Sequence, residues 1–195
     1  AFAGDLVPTD PRYGPLRVAS HKVEVAIDNQ IALTRVEQVF ANDHAVQLEG
    51  QYTFPVPKGA TIIDFSMTID GKLMRGELLE KNRARTIYEG IVRQSKDPGL
   101  LEHVGANIFR VRVFPILPRS QQKIELSYVE RIPYDAGACR YVYPLLVPGG
   151  AKTTRADLFD FRLRLASLVP VKEVACPTHA ADVVRRAEEG AQVTF

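Results

Sequence analysis

The dominant feature of the sequence is a short apolar–polar alternation with period two, repeated along most of the chain. Successive side chains of a β-strand point to opposite faces, so each run predicts a half-buried strand. Turn signals such as Asp28-Asn29 and Asp70-Gly71 separate neighbouring runs. The runs lie at residues 23–27, 34–40, 46–54, 63–69, 73–79, 109–113, 124–128, 140–147 and 158–165. About ten short strands of this kind predict an antiparallel β-sandwich.

One segment departs from this period. Within residues 80–94, apolar side chains recur at helical spacing, at Ala84, Ile87, Tyr88, Ile91 and Val92. This stripe predicts one amphipathic α-helix packed on the sheets. The fold class is therefore mainly all-β: an antiparallel β-sandwich with one packed helix. The chain shows no βαβ alternation and no internal repeat.

The two ends of the chain carry weaker patterns. Residues 1–15 contain three prolines and two glycines and are interpreted as an extended, partly loose lead-in. Residues 16–195 are predicted to form a single domain. Val183-Val184 and the valine at 193 indicate a last hairpin. A short helix over 180–189, favoured by its alanines, remains an open alternative.

Composition excludes several classes of function. Lys plus Arg number 25 and Asp plus Glu number 23, so a net charge of +2 gives no bulk attraction to nucleic acid or anionic membranes. No apolar run approaches the roughly 18 residues of a spanning helix. Two cysteines are too few for a disulfide-dense miniprotein or a four-cysteine zinc site. Cys139 and Cys176 could form a disulfide or be two buried thiols.

The candidate metal-binding and catalytic residues lack a supporting sequence context. Asp64, Ser66 and Thr68 match a D-x-S-x-[ST] cation motif but fall inside an alternating strand, which predicts a polar face turned to solvent. A thiol nucleophile at Cys139 or Cys176 with His179 has no surrounding signature. The histidines lack paired spacing for zinc, and most lie near turns or loops; they are His21, His44, His103 and His179. We therefore expect no enzyme, metal or cofactor.

Basic residues suggest a second kind of site. The predicted helix carries Arg83 and Arg85, and the strand at 109–113 carries Arg110 and Arg112, which would share one outward face. These four arginines are the candidate contacts for a polyanion such as a sulfated polysaccharide. Acidic neighbours such as Glu89 dilute the charge, so an ordinary solvated face is the favoured interpretation. No aromatic side chains are interleaved for base stacking, which argues against nucleic acid.

An ordered set of motifs between residues 34 and 132 carries more information. The set runs Thr34-Arg35-Val36-Glu37-Gln38-Val39-Phe40-Ala41-Asn42, Tyr52-Thr53-Phe54-Pro55-Val56-Pro57, Asp70-Gly71-Lys72, Arg75-Gly76-Glu77, Ala84-Arg85, Ile87-Tyr88-Glu89, Asn107-Ile108-Phe109-Arg110-Val111, Ile116-Leu117-Pro118 and Ile124-Glu125-Leu126-Ser127-Tyr128. In order and spacing it resembles a VIT domain, the vault protein inter-alpha-trypsin domain. Each motif is weak alone, and the combination covers about half of the chain.

The resemblance implies both a fold and a role. The motif residues are expected to be structural, and they are Phe40, Tyr52, Phe54, Pro55, Pro57, Ala84, Tyr88, Phe109, Pro118 and Tyr128. VIT domains are generally non-catalytic and usually precede a von Willebrand A domain. The implied function is an interaction or scaffolding module of a secreted or cell-surface protein, acting in adhesion or in matrix or protein binding. The alternative is a stand-alone polyanion-binding module.

Overall fold

The computed structural model describes residues 4–69, 71–75, 101–103, 108–145, 155–185 and 190–194. These ranges contain fourteen strands and no helix. The strands are β1 (Asp5–Pro8), β2 (Arg17–Asp28), β3 (Ile31–Asn42), β4 (Leu48–Pro55), β5 (Thr61–Ile69), β6 (Lys72–Arg75), β7 (Leu101–His103), β8 (Ile108–Ile116), β9 (Ser120–Arg131), β10 (Tyr134–Asp135), β11 (Ala138–Cys139), β12 (Leu158–Ala166), β13 (Asp182–Arg185) and β14 (Gly190–Thr194).

The strands form two sheets of unequal size and one small ribbon. The larger sheet has eight strands in the order β13-β14-β12-β2-β3-β9-β5-β6. The smaller sheet has four strands in the order β1-β4-β8-β7, and β10 and β11 pair only with each other. Neighbouring strands are antiparallel throughout, except that β12 pairs parallel to β2 over nine residues.

A first core lies between the two sheets. Phe40 and Leu126 of the large sheet and Tyr52, Phe54 and Val111 of the small sheet belong to one buried cluster. The rings of Phe40 and Tyr52 meet edge-on across the interface, with centroids 5.7 Å apart. Such aromatic contacts stabilise beyond the area they bury, so the sandwich is joined by side chains that alternate inward on both sheets.

A second core lies on the same face of the large sheet but beyond the small one. It contains Val23 and Val25 of β2, Phe161 and Leu163 of β12, and Val193 of β14. The register aligns Val23 with Phe161 and Val25 with Leu163. Partly buried side chains from residues 141, 143, 174 and 181 pack on it. The C-terminal strands are therefore an integral part of the fold.

Most of the predicted strands are confirmed, including the run 158–165 and the last hairpin, in which β13 pairs with β14. The alternative helix is wrong for residues 182–185, which form β13. The predicted helix at 80–94 lies outside the described residues, as do residues 76–79 of the predicted returning strand. The prediction of a wholly antiparallel sandwich is wrong at β12, because this strand reaches β2 after a long crossover, which permits parallel pairing.

Two local predictions are corrected. Residues 140–145 of the predicted strand 140–147 pair with no other strand among the described residues. In β5, a register shift between Ile62 and Asp64 makes a bulge, which buries Ile62 and leaves Ile63 exposed. The alternation counted from Ile63 missed this extra residue, because a bulge changes the face of every side chain on one side of it.

The predicted lead-in contributes to the small sheet. Asp5–Pro8 forms β1, which pairs with β4, and Leu6 is completely buried. The backbone N–H of Leu16 also donates to the Leu6 carbonyl at 2.9 Å. The residues that follow thus turn back against the outer side of β1. The division into a lead-in and a single domain stays a prediction.

Replacing Phe161 by Ala tests whether the C-terminal strands carry part of the core. Phe161 is only 6% exposed and packs in the second core. We expect the free energy of unfolding to fall by about 3 to 5 kcal/mol, as for other large aromatic deletions. The matched control is Leu158→Ala on the same strand, where the side chain is 53% exposed. Urea unfolding of both variants provides the measurement, and equal losses would contradict a core role for β12.

Candidate functional site

A row of polar side chains lies on the otherwise apolar inner face of the large sheet. His21 on β2, Thr34 and Gln38 on β3 and Tyr128 on β9 are all buried. The register places His21 opposite Gln38 and Thr34 opposite Tyr128. Buried polar groups are costly unless hydrogen-bonded. These four buried side chains therefore need hydrogen-bond partners inside the protein.

Two tyrosines from the unpaired segment 140–145 meet this row, and we call this segment the tyrosine strap. The Tyr141 hydroxyl hydrogen-bonds the Thr34 hydroxyl at 2.8 Å. The Tyr143 hydroxyl lies 2.8 Å from Nε2 of His21. Both tyrosines also pack on the second core. The strap is thus held to the sheet by two phenol groups rather than by strand pairing.

Gln38 links the row to the small sheet. The Tyr52 hydroxyl donates to Oε1 of Gln38, while Nε2 of Gln38 lies 3.3 Å from Nδ1 of His21. An amide nitrogen can only donate, so Nδ1 accepts and the proton of the neutral ring sits on Nε2. His21 then donates to the Tyr143 oxygen. This chain of bonds fixes one histidine tautomer.

Gly4 closes the cluster from the N-terminal side. Its φ is +92°, a conformation that glycine adopts easily. A Cβ at this position would collide with Oε1 of Gln38 and with the Tyr52 hydroxyl. The close approach of the backbone therefore requires glycine on both grounds.

Burial keeps the histidine and the tyrosines of the cluster neutral near pH 7. It lowers the pKa of His21 to about 4 and raises the pKa of Tyr141 to about 12. Burial also raises the pKa of Tyr52, with a smaller contribution from the negative charge of Asp5. Neutral phenols and a neutral imidazole can hold hydrogen bonds, but none of them is an activated nucleophile.

Glu130 stands at the end of the row on β9. Its Oε1 atom is buried without a hydrogen-bond partner, and burial raises its pKa to about 7. The charge of Glu130 in turn raises the pKa of Tyr141, a smaller effect than burial. The Tyr128 hydroxyl beside it on the same strand is also buried. This end of the cluster is the part that titrates near neutrality.

The predicted structural residues lie mainly between the two sheets. Tyr52 stacks on Phe54 at 5.1 Å, and Phe54 stacks on Phe109 at 5.6 Å. Phe40, Tyr52, Phe54 and Tyr128 are 2% exposed or less. Pro55 ends β4, Pro57 lies in the loop that follows, and Pro118 lies exposed between β8 and β9. Ala84 and Tyr88 lie outside the described residues.

The predicted polyanion contacts are only partly described. Arg110 and Arg112 lie on β8, with the buried Val111 between them, so both side chains face outward. Arg112 forms an ion pair with Glu49 at 2.6 Å, and Nε of Arg110 is buried without a hydrogen bond. Arg83 and Arg85 lie outside the described residues. The structure brings together two of the four arginines.

Both cysteines are free thiols. Cys139 is exposed on β11 and Cys176 is partly exposed in the loop before β13. The disulfide alternative is therefore absent from the structure, and the alternative of two buried thiols is wrong. Neither thiol contacts the polar cluster in the hydrogen bonds of the described residues. Cys176 lies 3.9 Å from the Thr178 hydroxyl, which lies 2.9 Å from Nδ1 of His179.

No metal centre appears in the part of the chain that the structure describes. No three His, Cys, Asp or Glu side chains converge there on a common point. In the D-x-S-x-[ST] motif, Asp64 is exposed, but Ser66 is buried at 5% exposure, which corrects the solvent-facing prediction. The same described ranges contain no helix of the length and apolarity needed to cross a membrane.

The prediction that most histidines lie near turns or loops is wrong for His21, which is buried on β2. His21 lies two residues before Val23, so it continues the apolar face of β2 through Val23, Val25 and Ile27. A histidine in that position is predicted to be buried and to need partners. The pair Tyr141 and Tyr143 has the same spacing. The signal was present in the alternation itself.

Replacing Tyr143 by Phe removes the hydroxyl that accepts from His21. The loss leaves a buried imidazole N–H without this partner, so the free energy of unfolding should fall by about 1 to 3 kcal/mol. Tyr134→Phe is the matched control, because Tyr134 is 63% exposed. Urea unfolding at pH 7 measures both. A silent Tyr143→Phe substitution would mean that the strap is not held by this bond.

Comparison with known proteins finds relatives that are much longer than this chain. Over 136 residues it is 31% identical to human von Willebrand factor A domain-containing protein 5A, covering 68% of this chain and 17% of that protein. It is 32% identical to human inter-alpha-trypsin inhibitor heavy chain H2, covering 57% and 12%. It is 26% identical to the mouse protein mono-ADP-ribosyltransferase PARP4, covering 69% and 7%. The chain thus spans less than a fifth of these relatives.

The matched part contains most strands of the two facing sheets but not β1, β12, β13 or β14. The family model of the vault protein inter-alpha-trypsin domain matches residues 18–128, from β2 to β9. This is more than half of the chain, and it contains the aromatic core described above. The chain belongs to the VIT domain family.

Proposed function

We propose that the chain is a non-catalytic interaction and scaffolding module that adjoins a von Willebrand A domain in its parent protein. The observation that carries this proposal is the match to a von Willebrand factor A domain-containing protein over only 17% of its length. The matched segment is itself a VIT domain. The domain in that protein's name therefore lies elsewhere in its sequence.

The variety among the relatives supports a non-catalytic role. Their names denote a von Willebrand A domain protein, an inhibitor heavy chain and an ADP-ribosyltransferase. In each protein the segment shared with this chain is a small part of the whole. A segment common to such different proteins is expected to support a neighbour rather than to carry one reaction. The tightly filled aromatic core between the sheets is consistent with a structural module.

We further propose that the parent protein is secreted or at the cell surface and acts in adhesion or in matrix or protein binding. The similarity to inter-alpha-trypsin inhibitor heavy chain H2 supports this setting. Ligand recognition in such a protein would fall to the von Willebrand A domain, with this module as its brace.

The first test is to sequence the parent gene on both sides of this chain. We expect a signal peptide upstream and a D-x-S-x-S loop of a von Willebrand A domain downstream. The two domains should then be produced together and apart. If the module braces its neighbour, the unfolding temperature of the A domain should be higher in tandem by a few degrees, the effect of about 1 kcal/mol. Equal unfolding temperatures would contradict bracing.

A second candidate function is polyanion binding through β8. The observation in its favour is that Arg110 and Arg112 project from the same outward face of the small sheet. The ion pair between Arg112 and Glu49 opposes it by neutralising one of the two charges. If this face binds polyanions, the chain should be retained on heparin and elute with salt. The double variant Arg110→Ala/Arg112→Ala should then lose retention.

The control for heparin binding is Arg162→Ala on the opposite sheet, where Arg162 is paired with Asp160. Its retention should match that of the unchanged chain. Retention that is insensitive to salt, or equal losses in both variants, would contradict a specific site on β8.

A further inference from the structure

We propose that the adjoining von Willebrand A domain contacts this module on the outer face of β12, β14 and β13. The inference rests on the proposed function, because the partner that it names is the neighbour placed there. The contact is centred on one depression of that face, which we call the outer depression. It is lined by Asp160, Arg162, Arg164, Asp182, Gln192 and Thr194.

Strand alternation sets the outer depression on the side of the large sheet that faces away from both cores. Phe161 of β12 and Val193 of β14 are buried in the second core. Successive side chains of a strand point to opposite faces, so the neighbours of these two residues point outward. The register then aligns two rows across the three strands, Arg162-Thr194-Asp182 and Arg164-Gln192-Val184.

The outer depression offers one charge of each sign to a partner. The guanidinium of Arg162 already donates two hydrogen bonds to the Asp160 carboxylate, at 3.2 and 2.9 Å. Within the described ranges, neither Arg164 nor Asp182 has an ion-pair partner. Both side chains are exposed, and they lie in adjacent rows, two strands apart. A partner can therefore pair with each of them without displacing an existing contact.

An apolar side chain adjoins these charges at the edge of the sheet. Val184 stands beside Gln192 in the second row and is 55% exposed. Its strand, β13, is the edge strand of the large sheet. An edge strand with an exposed apolar side chain favours association with another polypeptide unless something covers it. The surface thus combines an apolar side chain with charges that a partner can pair.

The end of β14 lies within the outer depression. Thr194 is the last residue of this strand, and it lies opposite Asp182 of the edge strand. A downstream domain joined to β14 therefore starts beside this surface. The chain itself brings that domain to the depression, which it does for no other partner.

Tethering decides between this neighbour and a free partner. An exposed ion pair contributes little, so the two available charges cannot hold a free partner in solution. A short flexible linker gives a joined domain an effective concentration on the order of millimolar, at which weak complementary contacts suffice. We expect the A domain to present an acidic side chain to Arg164, a basic one to Asp182 and an apolar one to Val184.

Thermal unfolding of the module and its A domain, produced as one chain at low ionic strength, tests the proposal. The A domain in the unchanged tandem chain should unfold a few degrees above the isolated A domain. The double variant Arg164→Glu/Asp182→Lys reverses both charges and keeps the net charge. It should lose about half of that gain or more, because each expected ion pair becomes a repulsion. The unfolding temperature of the module itself should not change, since both side chains are exposed.

The double variant Arg35→Glu/Asp64→Lys is the matched control. Both residues are exposed, and the register aligns them with Ser127 on the same outer face but away from the outer depression. This variant makes the same pair of charge reversals and should retain the full gain. Val184→Ser gives a second probe that does not depend on charge, and it should also lower the gain.

The outcomes separate this inference from the proposed function. If the A domain gains nothing in the unchanged tandem chain, bracing and the inference fail together. If the gain is present but survives both the reversal at the outer depression and Val184→Ser, bracing stands and the inference is overturned. Equal losses in the two double variants overturn it as well. Sedimentation of the tandem chain is the last check, because a dimer that the reversal dissociates while the gain persists would assign the surface to a second copy.

Discussion

The mismatch in width between the two sheets is the constraint on which the rest of the structure depends. With strands about 4.8 Å apart, eight strands span roughly 34 Å and four span roughly 14 Å. The small sheet can therefore cover less than half of the large sheet's inner face. The alternation of β2 and β12 nevertheless places apolar side chains on the part of that face that the small sheet leaves uncovered. A second cover is required, and the C-terminal third of the chain supplies it through the tyrosine strap and the residues around 174 and 181.

The polar cluster sits where these two covers meet. Tyr143 packs against both cores, and the hydrogen-bonded chain from Tyr52 through Gln38 and His21 to Tyr143 runs between them. Side chains at such a boundary contact two surfaces that come from different parts of the sequence. Directional hydrogen bonds can fix their relative position where apolar contacts alone would allow sliding. This accounts for buried polar groups in strands that are otherwise apolar.

The sequence predicted the strands well, because their side-chain period follows directly from which face is buried. Where it failed, the deciding information was not local. The bulge at Ile62 depends on pairing with β9, and parallel pairing of β12 depends on which edge of the sheet remains open. The strap was predicted as a strand from an alternation that is real, since Tyr141 and Tyr143 do face the sheet. Their partners are side chains of distant strands, which periodicity cannot identify.

The family match ends before the folded unit does. The match ends at Tyr128, yet in the described part of the chain the edge of β2 pairs with β12, and Val23 and Val25 pack in one core with Phe161 and Val193 beyond the match. An open strand edge with an apolar face invites pairing with other chains. In this protein β12 occupies that edge, and β14 and β13 extend the sheet beyond it. The folded unit is therefore larger than the recognisable domain, and the strap is the connection that joins its two parts.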